Sequence, residues 1–172
     1  RFSAPFSRDL DGEIAPWAYE LVVPGFNYRA TDMQCALGLS QLKKLALFVR
    51  ERRALATSYE KLIQPLWPVI RPVARHPACL PAWHLGLFLV DYARLGLTRR
   101  AFMAELQTAG LGSQVHYIPV HRQPYYQNRY GDQDLPGAAA YYANCLTLPL
   151  FVGMSDADVE RVISVLGEIA AR

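Results

Sequence analysis

Side chains able to do chemistry concentrate in two places. The first is the run Gln114-Val115-His116-Tyr117-Ile118-Pro119-Val120-His121-Arg122-Gln123-Pro124-Tyr125-Tyr126. At and just after a strand end, such a run can show its imidazoles, phenols and amides to a ligand while the strand holds them rigid. Two readings stay open from the residues alone: a ligand-facing loop, or Tyr117 and the Tyr125–Tyr126 pair as packing groups with surface histidines. The His116 to His121 spacing has no carboxylate or cysteine at ligand spacing, so it is not a metal motif. The second place is Gly25-Phe26-Asn27-Tyr28-Arg29-Ala30-Thr31-Asp32-Met33-Gln34. Thr31 followed by Gln34 is a capping box. It sets Asn27 and Arg29 just outside a helix N-terminus, where spare N–H groups and the helix dipole favour an anion.

Other candidates read more simply. His84, between Trp83 and an apolar run, has the setting of a hydrogen-bonded core histidine. Asp156 and Asp158 are helix-start carboxylates. Lys43, Lys44 and Lys61 are the only lysines, and none has the desolvated setting of a Schiff-base lysine. Neither G-x-G-x-x-G, a Walker loop nor G-x-S-x-G occurs.

The elements that must position these groups follow from periodicity. From Asp32 to about Ile63, apolar residues recur at helical spacing with a basic opposite face, predicting one long helix ended by Pro65 and Pro68. Residues 1–24 mix Pro5, Pro16 and Pro24 with aromatics and predict a lead-in packed on something else, with a short strand at Tyr19–Val23. A second short strand is expected at Val69–Arg71. The Trp83–Val90 run predicts a strand buried on both faces. Thr98 caps a helix to about Ala109, stopped by Gly110. Ser113–Ile118 alternates as a strand ended by Pro119. Val120–Pro136 reads as a loop, Ala138–Cys145 as a short helix, and Leu146–Leu150 as a short buried strand. Ser155 with Asp158 caps a final amphipathic helix. The expected fold class is α/β, with helices packed on a small sheet and a long helix leading in.

With 52% hydrophobic and 19% charged residues, the chain has the balance of a well-cored globular protein. The formal charge of +3 is mild and its arginines are scattered, so nucleic-acid binding has little support. Cys35, Cys79 and Cys145 stand far apart, which reads as reduced, cytoplasmic and without a zinc site. No apolar run approaches a membrane span.

Three stretches resemble one family. "GFNYRATDMQCALGLSQLKKL", "SQVHYIPVHRQPYY" and "LPLFVGMSDADVERVI", in that order, are similar to the C-terminal part of the DegT-type sugar-nucleotide aminotransferases. These are fold-type-I pyridoxal-phosphate enzymes that aminate keto-sugars on nucleotide carriers. The "HYIPVHRQPYY" run looks most like the branch making UDP-4-amino-4,6-dideoxy-hexoses of pseudaminic-acid type. The resemblance runs from about Pro16 to the C-terminus. It implies a small C-terminal α/β domain over 65–172, a linking helix over 31–64, and a remnant of the large cofactor domain over 1–30.

The resemblance also implies roles. Asn27 would reach into the neighbouring subunit of a homodimer and bind the phosphate of pyridoxal 5'-phosphate, with Arg29 supporting the loop. Gln114, Val115, His116 and Tyr117 would line the pocket for a UDP-sugar type substrate, and His121 and Tyr125 fall in the same run. Glu or Gln would be the amino donor. The family's cofactor-bonding lysine is expected upstream of Asn27, outside these residues, so no catalytic residue is assigned and the chain is expected to be inactive and cofactor-free alone. Residues 1–30, expected to lose a packing partner, would then be mobile or pair with another chain. The alternative is a non-enzymatic interaction or ligand-binding domain derived from the family. In it, the long helix and the Tyr-rich loop would form an interface.

Overall fold

A computed structural model describes Phe26 and residues 28–172. The expectations for residues 1–25, including the strand at Tyr19–Val23, and the phosphate contact of Asn27 lie outside the described residues.

Two compact units divide between Leu42 and Lys43. In the first, helix α1 spans Asp32–Leu42 and buries none of its side chains. Its start carries the expected capping box. The Thr31 N–H donates to Gln34 Oε1 at 2.8 Å, and the Gln34 N–H donates to Thr31 Oγ1 at 3.3 Å.

The second unit, Lys43–Arg172, opens with α2 at Leu45–Leu62. The single long helix expected from periodicity is therefore interrupted by a turn at Lys43–Lys44. No Pro or Gly stands there to mark the break. What differs across it is packing, because α1 buries nothing, whereas α2 buries Leu55 and Tyr59 along one stripe that Ile63 continues. Tertiary burial, more than propensity, decides where a helix is held.

Among the described residues, three antiparallel strands form the sheet in the order β1 (Ile70–Pro72), β2 (Gly86–Val90), β3 (Cys145–Leu148). Ile70 pairs with Val90, and Phe88 pairs with Leu146. Because successive side chains point to opposite faces, Phe88, Val90, Leu146 and Leu148 meet Leu55, Tyr59 and Ile63 in one core. Phe102 and Leu106 of α3 (Arg99–Thr108) join it, with Val159, Val162, Leu166 and Ile169 of α6 (Asp156–Ala170). Fully burying such side chains contributes roughly 1.5–3 kcal/mol each. The Tyr59 hydroxyl keeps its polar end satisfied by donating to the Pro149 carbonyl at 2.8 Å.

Caps behave as their sequences predict. Thr98 accepts from the Ala101 N–H. Ser155 and Asp158 form a reciprocal box at the head of α6.

Several expected elements are corrected. The strand predicted over Trp83–Val90 starts only at Gly86, because the carbonyl oxygens of Trp83 and His84 accept from the Arg52 guanidinium and are unavailable to a ladder. His84 is exposed, not a core histidine. The alternating run Ser113–Ile118 contributes one bridge, Gln114 to Thr147, and no strand. Beyond that bridge its backbone groups turn to side chains. The Val115 N–H donates to Gln114 Oε1, and the His116 carbonyl accepts from the Tyr141 hydroxyl. The stretch Val120–Pro136 is not a plain loop: a 3-10 turn at Val120–Arg122 leads into α4, Pro124–Tyr130. Helix α5 runs Pro136–Asn144, and β3 follows it directly.

Candidate functional site

In the second unit, the His116 run, α4 and α5 surround a cleft of about 520 Å³. Its wall is phenolic and apolar, formed chiefly by Tyr117, Tyr126, Tyr130, Tyr141, Val120 and Leu135, with His121 adding an imidazole. Tyr126 and Tyr130 are one helical turn apart on α4 and therefore share a face. Their rings stack at 6.3 Å and 16°. A flat ring entering the cleft would meet phenol faces or edges, the arrangement that aromatic contacts favour.

His116 directly precedes the cleft-lining Tyr117 but does not itself line the cleft. Its Nδ1 lies 2.7 Å from Thr147 Oγ1. Its ring meets Tyr117 edge-on, with centroids 4.4 Å apart. The Tyr141 hydroxyl donates to the His116 carbonyl at 3.3 Å. Burial raises the Tyr141 phenol above its usual range, so that group stays protonated and able to donate. The peptide bond joining His116 to Tyr117 is cis.

The predicted residues divide by what they touch. Tyr117 and His121 line the cleft. Gln114, Val115 and His116 do not line it; Gln114 instead ties the run to β3, exchanging both backbone hydrogen bonds with Thr147 at 3.1 and 2.7 Å. Tyr125 is 63% exposed and accepts from Arg129 on the outer side of α4, away from the lining. In its place stand Tyr126, Tyr130 and Tyr141. The signal for α4 was available as Pro124 at the first helical position and Gly131 after the last, the asymmetry typical of helices. Given that helix, Tyr126 and Tyr130 fall together by the i,i+4 rule.

Arg29 belongs to the first unit, and so is described apart from the cleft. It is exposed and makes no hydrogen bond or ion pair with another described residue. The capping box occupies the N–H groups of Thr31 and Gln34. Those of Asp32 and Met33, at a helix start, have no intrahelical acceptor. Asp32 in the first turn meets the positive field of this helix start. All three lysines are exposed. Among the described residues, no group of three or more His, Cys, Asp or Glu could hold a metal ion. No helix among them is long and apolar enough to cross a membrane.

Comparison with known proteins gives a consistent answer. Residues 11–167 match the model of the DegT/DnrJ/EryC1/StrS aminotransferase family. The spore coat polysaccharide biosynthesis protein SpsC of Bacillus subtilis is 39% identical over 156 residues, covering 89% of this chain and 40% of that protein. Among solved structures, the PLP form of Spr1654 from Streptococcus pneumoniae superposes with a TM-score of 0.76 at 29% identity, over 90% of this chain and 39% of that one. PseC of Helicobacter pylori, an aminotransferase involved in pseudoaminic acid biosynthesis, shares the fold. Its TM-score is 0.78 at 24% identity, over 92% of this chain and 42% of that one. The chain thus spans about two fifths of the length of each relative.

Proposed function

Because the chain belongs to the DegT/DnrJ/EryC1/StrS aminotransferase family, we propose that it is the C-terminal part of a sugar aminotransferase. The whole enzyme would use pyridoxal 5'-phosphate to move an amino group from glutamate or glutamine to a nucleotide-linked keto-sugar. The observation that carries this reading is the phenol-walled cleft that opens at Tyr117, next to the anchored His116, joined to the family match.

Each group has a task in that reaction. Tyr117, Tyr126 and Tyr130 cover the nucleotide's flat base and exclude water from its faces. His121 offers a polar contact on this wall, and His116, beside the lining Tyr117, a hydrogen bond from next to it. Asn27 and Arg29, with the start of α1, hold the cofactor phosphate in the neighbouring subunit of a homodimer. The cofactor, when bound, supplies the carrier chemistry for the amino group. Its covalent lysine lies outside these residues in this reading, so the 172-residue chain alone neither retains the cofactor nor transfers an amino group.

Dialysis after adding pyridoxal phosphate tests this division. The chain alone is expected to keep no visible absorption band. A retained band that disappears on replacing Lys43, Lys44 or Lys61 would overturn it. Transfer of labelled nitrogen from glutamate to a UDP-linked 4-keto-sugar by the longer enzyme tests the activity, and no transfer to any nucleotide-linked keto-sugar would sink it.

A further inference from the structure

Thr147 is the sole polar residue that is buried among the described residues, with 7% of its surface exposed. It sits on β3 between the core residues Leu146 and Leu148. A valine would fill the same space without a hydroxyl to satisfy, and burying an unpartnered hydroxyl is unfavourable. Its hydroxyl has one partner, His116 Nδ1 at 2.7 Å. A buried hydroxyl with a single neighbour gives its proton to that neighbour, because an orphaned donor is worse than a spare acceptor lone pair. Nδ1 is then the acceptor, and the neutral ring carries its proton on Nε2.

Three anchors converge on the same short run. The Thr147 backbone exchanges two hydrogen bonds with Gln114, its side chain holds the His116 ring, and Tyr141 holds the His116 carbonyl. Among the described residues, Nε2 has no hydrogen-bond partner. Neither Thr147 nor His116 lines the cleft; the chain enters its wall at Tyr117, the next residue, so any effect of Thr147 on a ligand there passes through the His116–Tyr117 segment.

We propose that Thr147 is a positioning residue that locks His116 as an Nε2–H donor, leaving that donor for an acceptor oxygen of a nucleotide-sugar held beside Tyr117. The ligand half of this inference rests on the function proposed above; the hold of Thr147 on His116 does not.

Nitrogen-15 spectra of the histidine rings test both halves, and the chain has only four histidines. His116→Gln identifies the signals of interest. In the unaltered protein His116 should show an unprotonated Nδ1 displaced upfield by an accepted hydrogen bond, and a protonated Nε2. Thr147→Ser should keep the displacement, and Thr147→Val should lose it. A protonated Nδ1 in the unaltered protein, which needs no variant to observe, would overturn the proposal. So would a Thr147→Val spectrum unchanged at Nδ1. Adding UDP should shift the His116 Nε2 signal, with affinity about tenfold weaker in Thr147→Val, the scale of one lost hydrogen bond. If Nδ1 carries the expected signature yet UDP moves no histidine, the hold of Thr147 on His116 stands and the nucleotide-sugar reading fails.

Discussion

Gly86 and Leu148 face each other across the β2–β3 pair so closely that a Cβ on Gly86 would lie 2.9 Å from the Leu148 carbonyl oxygen and 3.3 Å from Leu150 Cβ. The obstacle is backbone, which cannot swing aside as a flexible side chain can. Gly86→Ala is therefore expected to destabilise the second unit by about 1–3 kcal/mol, the range for overpacking. A urea titration should show a lower midpoint at an unchanged slope.

Arg52 fastens two separated segments to α2. Its guanidinium donates to the carbonyl oxygens of Trp83, His84 and Leu150 at 3.2–3.3 Å. Arg52→Ala should cost about 1.5–3 kcal/mol, as expected for hydrogen bonds from a charged donor. Arg52→Lys should recover only part of this, because all three contacts come from Nη1 and a lysine ammonium ends one bond short of it. Hydrogen exchange should quicken at residues 83–86 in both variants, and unchanged exchange there would count against the clamp.

The cleft predicts a division among three tyrosines close in sequence. Tyr126→Ala and Tyr130→Ala should each weaken UDP binding about tenfold, at the lower end of what stacking on a base contributes. Tyr125→Ala should leave binding unchanged. Calorimetric titration of each variant, with melting curves to check folding, separates these outcomes. A larger loss at Tyr125 than at Tyr130 would place the ligand on the other side of α4.

Acid should loosen α6 at its head. Hydrogen bonds from the Ser155 N–H and hydroxyl lower the Asp158 pKa. A carboxylate whose folded value is depressed stabilises the fold fully above its unfolded value, about 3.9, and loses that contribution as pH falls through the lowered folded value. The stability gap between the unaltered chain and Asp158→Asn should thus be widest near neutrality and close as pH falls through the lowered folded value. Urea midpoints across that range would reveal it.

Local chemistry was readable from the sequence where it is self-contained. The boxes at Thr31–Gln34 and Ser155–Asp158, the Thr98 cap and the Gly110 stop, where φ is +76°, need only residues within a few positions. The core stripe of α6 was equally plain. What could not be read depended on distant partners. Arg52 lies more than thirty residues from the carbonyls that shorten β2, and the Tyr141 hydroxyl that draws the His116 carbonyl out of a ladder comes from α5. The break at Lys43–Lys44 follows from which helix is buried, which no local signal encodes. Within the cleft, Tyr117 and His121 lie in the run that residue type marked, while their roles came from the family resemblance. Thr147 was invisible, since an isolated Thr in an apolar run looks like any strand residue.

The Gln114–Thr147 bridge also covers part of one rim of the sheet. A sheet of three strands has two rims, and an open rim invites another chain to add a strand. The β1 rim is three residues long and ends on Pro72, which has no N–H to offer. Along β3, the opposite rim is closed at Thr147 by Gln114. The contact that steadies His116 thus also blunts a rim that could seed aggregation.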